Sequence, residues 1–141
     1  MADAKMIRNA KVWPRFNAIP AQITADVDGQ LVVEVGDLVA AQKRAAPVSD
    51  DLEKRPGEYR DSIHSYKNPD RPLSYRIIAD AKDETGEFIG PHIEHGHLAP
   101  DGSHVAAKPS FFPTYRARKK GMKRRLNAAG RKAAKAFNQG K

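Results

Sequence analysis

The chain has 141 residues, 40% of them hydrophobic and 30% charged, which fits one domain, residues 1–141, with a modest core. It contains no cysteine, so disulfides, thiolate metal sites and cysteine nucleophiles are excluded. The net charge of +8 is unevenly spread: residues 102 to 141 hold twelve Lys or Arg and no Asp or Glu. A split this sharp implies an acidic partner for the C-terminal part, either nucleic acid or protein.

No apolar run reaches the roughly 18 residues that a membrane span needs, and the first residues lack the apolar segment of a signal peptide. The expectation is a soluble protein made in the cytoplasm, with no membrane partner.

Residues 1 to 20 read as an irregular lead-in, because Trp13-Pro14 and Ile19-Pro20 disfavour helix before each proline. Residues 21 to 45 carry Ile23, Val27, Leu31, Val35 and Leu38 at spacings of three and four, the pattern of an amphipathic helix. Val32 and Val39 are expected to widen that stripe, and Gly29 and Gly36 to mark a bend or a close helix contact. Pro47 ends the segment, and Lys43 and Arg44 suit the negative end of the helix dipole.

Residues 46 to 58 carry turn and breaker residues and read as a loop. Tyr59 to Tyr66 and Leu73 to Ala81 read as two short strands, joined at Lys67 to Pro72 into a hairpin. Asp83 to Gly86 is a further turn, and Glu87 to Glu94 a third, weaker extended segment. Residues 95 to 110 read as a long surface loop. Residues 113 to 138 read as a second helix with Tyr115, Met122, Leu126, Ala129, Ala133 and Phe137 on one face. Arg116, Arg118, Lys119, Lys120, Lys123, Arg124, Arg131, Lys132 and Lys135 crowd its remaining surface.

The order predicts an α+β fold: a small antiparallel or mixed sheet of three to four strands over 59–94, packed by a long N-terminal helix and a basic C-terminal helix.

The densest cluster of chemistry-bearing residues is His92, Glu94, His95 and His97, with His104 nearby. These are metal-ligand types, but an extended segment would turn His92 and Glu94 to one side and His95 to the other. No His-Glu-x-x-His pair, phosphate-binding glycine loop or dinucleotide fingerprint is present. Arg60, Asp61, Ser62 and His64 suggest a hydrolase only superficially, since no Gly-x-Ser-x-Gly elbow surrounds Ser62. The expectation is a protein without catalytic residues, metal or cofactor.

The basic C-terminal helix allows three readings. Its cations form a solvated face, or meet phosphates without reading sequence, or meet an acidic protein surface. Phe111, Phe112 and Tyr115 precede the basic run rather than interleave with it, which disfavours a base-stacking platform.

Several segments, taken in order, resemble one family. Arg15, Phe16 and Ile19-Pro20, followed by a long helix closing at Ala45, Ala46, Pro47 and Val48, look like its opening helix and Ala-Pro exit. Pro56-Gly57, Glu58, Tyr59, Arg60, Asp61, Ser62 and Ile63 resemble its t-G-x-L-r-x-S-I stretch, with Tyr59 where leucine is usual. Ile93, Glu94, His95, Gly96 and His97 resemble v-E-f-G-t, with two histidines replacing the usual aromatic and small residue. Ala106 to Pro113 resembles x-a-x-P-F-l-r-p-a, with Ser110 as an insertion or shift, and a charged helix follows.

These segments are similar to the tail-completion, or head–tail joining (neck), family of long-tailed bacteriophages and prophages, gene-transfer-agent-like particles included. The resemblance runs from about residue 15 to the C-terminus. It implies a non-enzymatic virion subunit at the head–tail junction, acting in a ring, commonly a hexamer. Its expected partners are sister copies, the tail tube or tail terminator protein, the portal and connector proteins, and passing DNA.

The expected interface residues are Asp50, Asp51, Glu58, Glu94, His95, His97, Phe111, Phe112, Arg116, Lys120, Lys123 and Arg124. The acidic ones near residue 50, with Glu53, are expected to meet the basic helix of a neighbour. One of Phe111 and Phe112 is expected to anchor the last helix on the sheet and the other to face a neighbour. The alternative to a ring subunit is a small basic nucleic-acid-binding protein. A small ribonuclease-like toxin is a third reading.

Overall fold

Helix begins earlier than the prolines suggest. In the computed structural model, which describes residues 13–49 and 55–140 and side-chain surroundings from 21 onward, α1 spans Trp13–Ala45. The bias of Pro14 and Pro20 against helix at the preceding residue is outweighed by a 33-residue element. Val35, Leu38 and Ala41 are buried along one face and Val39 packs on the core. Val32, by contrast, is 50% exposed, so it does not widen the core stripe. Gly29 and Gly36 face open space and mark no close contact.

The chain then makes a single helical turn, α2, at Glu58–Asp61. A strand was expected from Tyr59. Gly57, at φ +82°, turns the backbone so that Asp61 and Ser62 donate N–H bonds back to the carbonyls of Gly57 and Glu58. This swings the Tyr59 ring into the core, and the strand starts only at Ile63.

Strands β1, Ile63–Lys67, and β2, Tyr75–Ala79, form an antiparallel hairpin with Ile63 opposite Ala79 and Lys67 opposite Tyr75. The turn between them falls where Asn68, Pro69, Asp70 and Pro72 predict it. The Asn68 side chain accepts from Asp70 N–H, and Asn68 N–H donates to Ser74 O. The next turn is organised by Asp83, whose Oδ1 accepts from Thr85 and Glu87 N–H.

The segment after it is helical, not extended. Helix α3 covers Ile89–His95. Pro91 lies in its first turn, where its missing N–H has no intrahelical partner to lose. Gly90 is buried, and its α-carbon faces the Tyr59 ring and the Ala79 carbonyl, so α3 lies directly on β2. The expected loop over 95–110 holds a two-residue hairpin, β3 at His97–Leu98 and β4 at His104–Val105.

Helix α4 spans Phe111–Asn138, two residues longer at its start than the expected 113–138. Proline tolerates the first turn, so Pro113 does not delay it. The fold is α+β, with two separate two-stranded sheets in place of one sheet of three or four strands.

The most extensive packing is α1 against α4. The Cα of Gly130 faces Val27, Arg125 meets Glu34, and the Phe111 carbonyl meets Gln42, so the two helices run antiparallel. Ala46, Tyr59 and Ile63 form the buried centre, with Val39, Ile77, Ala79, Ile93 and Phe111 around it. Met122 and Ala133 bury the inner face of α4 as its periodicity predicts, while Tyr115 at its start is 38% exposed. Among the described residues, no helix is long and apolar enough to cross a membrane.

Candidate functional site

Two surfaces stand out, and they meet at the first turn of α4. One is an apolar groove of about 720 Å³ between β2, α3 and that turn. Ile77, Ile78 and Tyr59 line its floor, and Phe88 and Phe112 its rim. Those rim side chains are 50% and 49% exposed, a large apolar area to leave in water. The Lys82 ammonium lies 4.9 Å from the Phe88 ring centre. Among the described residues, the outer edge of β2 carries no further strand, so part of its backbone is open to pairing.

Phe111 and Phe112 face different ways. They sit edge to face, 5.4 Å apart. Phe111 packs on the core cluster. Phe112 points out at the groove.

Glu94 is buried at the back of the groove, and one of its carboxylate oxygens is committed to α4. Its Oε1 accepts N–H bonds from Ser110 and Phe111, both at 2.7 Å. Ser110 makes no capping bond of its own, so Glu94 acts as the cap of α4 from a distant element. Burial, aided by the Glu94 charge, pushes the Tyr59 phenol up from its ordinary pKa.

The histidines do not converge. His95 is exposed at the groove, while the His92 and His97 rings stack at 4.8 Å, and His92 Nε2 lies 3.9 Å from Glu87. His64 Nδ1 sits 2.8 Å from the Ser62 carbonyl. Among the described residues, no group of three His, Asp or Glu side chains is placed to hold a metal ion. Arg60 and Asp61 pair with each other on α2 at 2.9 Å, and Ser62 Oγ donates to the Tyr59 carbonyl. The residues that suggested a hydrolase are thus spent on local geometry.

The second surface is the outward face of α4. Arg116, Lys120, Lys123, Arg124, Arg131 and Lys135 are all exposed there. Of the acidic candidates, Glu58 pairs with Arg55 at 3.4 Å. Asp50, Asp51 and Glu53 lie outside the described residues.

Three polar anchors are absent from the residues singled out in the sequence. Glu34 is 2% exposed and takes a two-pronged bond from Arg125 at 2.6 and 2.7 Å. Arg125 holds the Glu34 carboxyl below its ordinary pKa. Gln42 is 1% exposed and donates to the Phe111 carbonyl. Asp28 binds Lys67 at 2.7 Å and accepts from the Tyr75 hydroxyl, fixing α1 to the hairpin; the Lys67 bond lowers its pKa. The signal was present for two of them: Glu34 and Gln42 fall at helical spacing from Leu31, Val35 and Leu38, inside the apolar stripe.

In comparisons with known proteins, no family model, no curated protein and no solved structure matches this chain.

Proposed function

We propose that the chain is a non-enzymatic structural subunit of a virion, a tail-completion or head–tail joining protein that works as a ring between the tail tube and the portal complex. The observation that carries this reading is the groove beside β2, whose rim leaves Phe88 and Phe112 half exposed. A subunit in a closed ring presents two different surfaces to its two neighbours. An apolar cleft next to an unpaired strand edge is suited to one half of such a contact, with a sister copy as its occupant.

The ordered motifs around Gly57, Glu94 to Gly96 and Pro109 to Pro113 support the same reading, and each has a local purpose. Gly57 makes the turn into α2, Glu94 caps α4, and Pro113 stiffens the turn that presents Phe112. Glu94, His95, Phe111 and Phe112 all line the groove, but His95 and Phe112 are exposed there, which favours those two as contact residues over buried Glu94, over Phe111 on the core and over His97, whose ring is stacked on His92.

The test is a mass measurement of the purified chain, alone and with purified tail tubes. Several copies in a closed assembly, or bound at the tube end, are expected. A chain that stays monomeric under both conditions would overturn the proposal.

A further inference from the structure

The outward face of α4 is unusual in what it lacks. The helix carries ten Lys or Arg and no acidic residue. Among the described residues, only Arg125 of these ten takes part in an ion pair, and it points inward to Glu34. Arg116, Lys120, Arg124, Arg131 and Lys135 recur at spacings of four or seven, so they line one side of the helix. Nineteen residues separate the first from the last, a stripe about 29 Å long. Gly121 and Ala117 leave a shallow dip beside Lys120 and Arg124, continued by Asn127.

A merely solvated face does not account for this. Long basic side chains on many helices cover large apolar side chains, but within this stripe the neighbouring residues are small or polar, Ala117, Gly121 and Asn127. Instead, Arg116 with Lys120, Lys120 with Arg124, and Arg131 with Lys135 are like charges four apart, each pair mildly destabilising. A partner of opposite charge along the whole stripe would reverse that repulsion.

Among the described residues, several of the chain's carboxylates are already engaged elsewhere. Asp28, Glu34, Glu58 and Asp61 are held in ion pairs, and Asp83 and Asp101 in their own turns. A straight row of cations without interleaved aromatic rings fits a regular polyphosphate better than splayed single-stranded bases.

We propose that the outward face of α4 binds the phosphate backbone of double-helical nucleic acid without reading its sequence. This goes beyond the ring reading and does not depend on it. Lys120, Arg124 and Arg131 form the centre of the contact, Arg116 and Lys135 its ends.

The test is fluorescence anisotropy of the full chain with a labelled DNA duplex of about 30 base pairs, repeated with a second sequence and across a salt series. Contact with about four phosphates predicts a log–log salt slope near −3.6, or roughly a hundredfold weakening between 50 and 200 mM salt. The two sequences should bind equally. The triple variant Lys120→Gln, Arg124→Gln, Arg131→Gln should bind far more weakly, with a slope shallower by about 2 to 3. Its three positions are exposed, so its melting temperature should not fall. A single variant Lys132→Gln, off the stripe, should bind nearly as the parent does.

No binding at 50 mM salt would overturn the proposal, as would undiminished binding by the triple variant. Tighter binding to polyglutamate than to the duplex at equal charge would overturn it in favour of an acidic protein.

Discussion

Glu94 does for α4 what Ser110 in its own chain position does not. Two N–H groups at the start of the helix converge on one buried oxygen, so removing that oxygen strands both donors. Glu94→Ala is expected to cost about 2–3 kcal/mol in urea denaturation, and Glu94→Gln less, since an amide oxygen still accepts. Equal losses from the two variants would show that the acceptor is not what matters. Glu34 makes a different, pH-dependent contribution. Its folded carboxyl lies below the ordinary 4.5, chiefly through the Arg125 hydrogen bond. The stability it adds is therefore complete above that value and is lost as pH falls through the lower, folded one. Asp28, lowered by Lys67, acts in the same direction. Stability should hold between pH 7 and 5 and fall below about 4.5, and Arg125→Met should flatten that fall; a parallel acid limb in the variant would refute the assignment. Neither pairing could be read from the amino-acid order. Glu34 and Arg125 are 91 positions apart, and periodicity reports which face a residue occupies, not what it will meet there.

The hairpin of β1 and β2 was legible because its turn chemistry is local: Asn68, Pro69, Asp70 and Pro72 leave few other conformations. Segment 87 to 94 was not, since the helix found there, the seven residues Ile89–His95 with Gly, Pro and two histidines, has no decisive period. What settles it is tertiary. Ile93 reaches the core and Glu94 reaches α4 only if the segment coils. Gly96 closes that helix. Its φ of +74° and ψ of 168° suit glycine alone, and an added Cβ would lie 2.7 Å from the Val105 carbonyl. Gly96→Ala should therefore destabilise the β3–β4 hairpin by at least about 1–3 kcal/mol, read as faster amide hydrogen exchange over residues 97–105. An unchanged exchange pattern would mean that the hairpin shifts to accommodate the methyl group.

At the level of the molecule, the helix–sheet–helix order and the division of charge came from composition and spacing. The groove did not, because it is made where three separate elements meet, and no pattern in any one of them announces it. The paired phenylalanines connect the two levels. Phe111→Ala should cost about 3 kcal/mol of stability, as expected for an aromatic packed on the core. Phe112→Ala should leave melting nearly unchanged but reduce assembly, because half its surface is already in solvent. The reverse pattern, assembly intact and melting lowered in Phe112→Ala, would remove the groove from the interface.

The antiparallel pairing of α1 with α4 also sets a timetable for folding. α1 leaves the ribosome with Glu34 and Gln42 unpartnered, and the α4 residues that meet them are made 91 and 69 residues later. At typical synthesis rates that is a delay of several seconds or more. Closure across such a span comes late, after the local hairpins. Nascent chains interrupted before α4 would expose a long, half-apolar helix, and those are the chains that chaperones should retain.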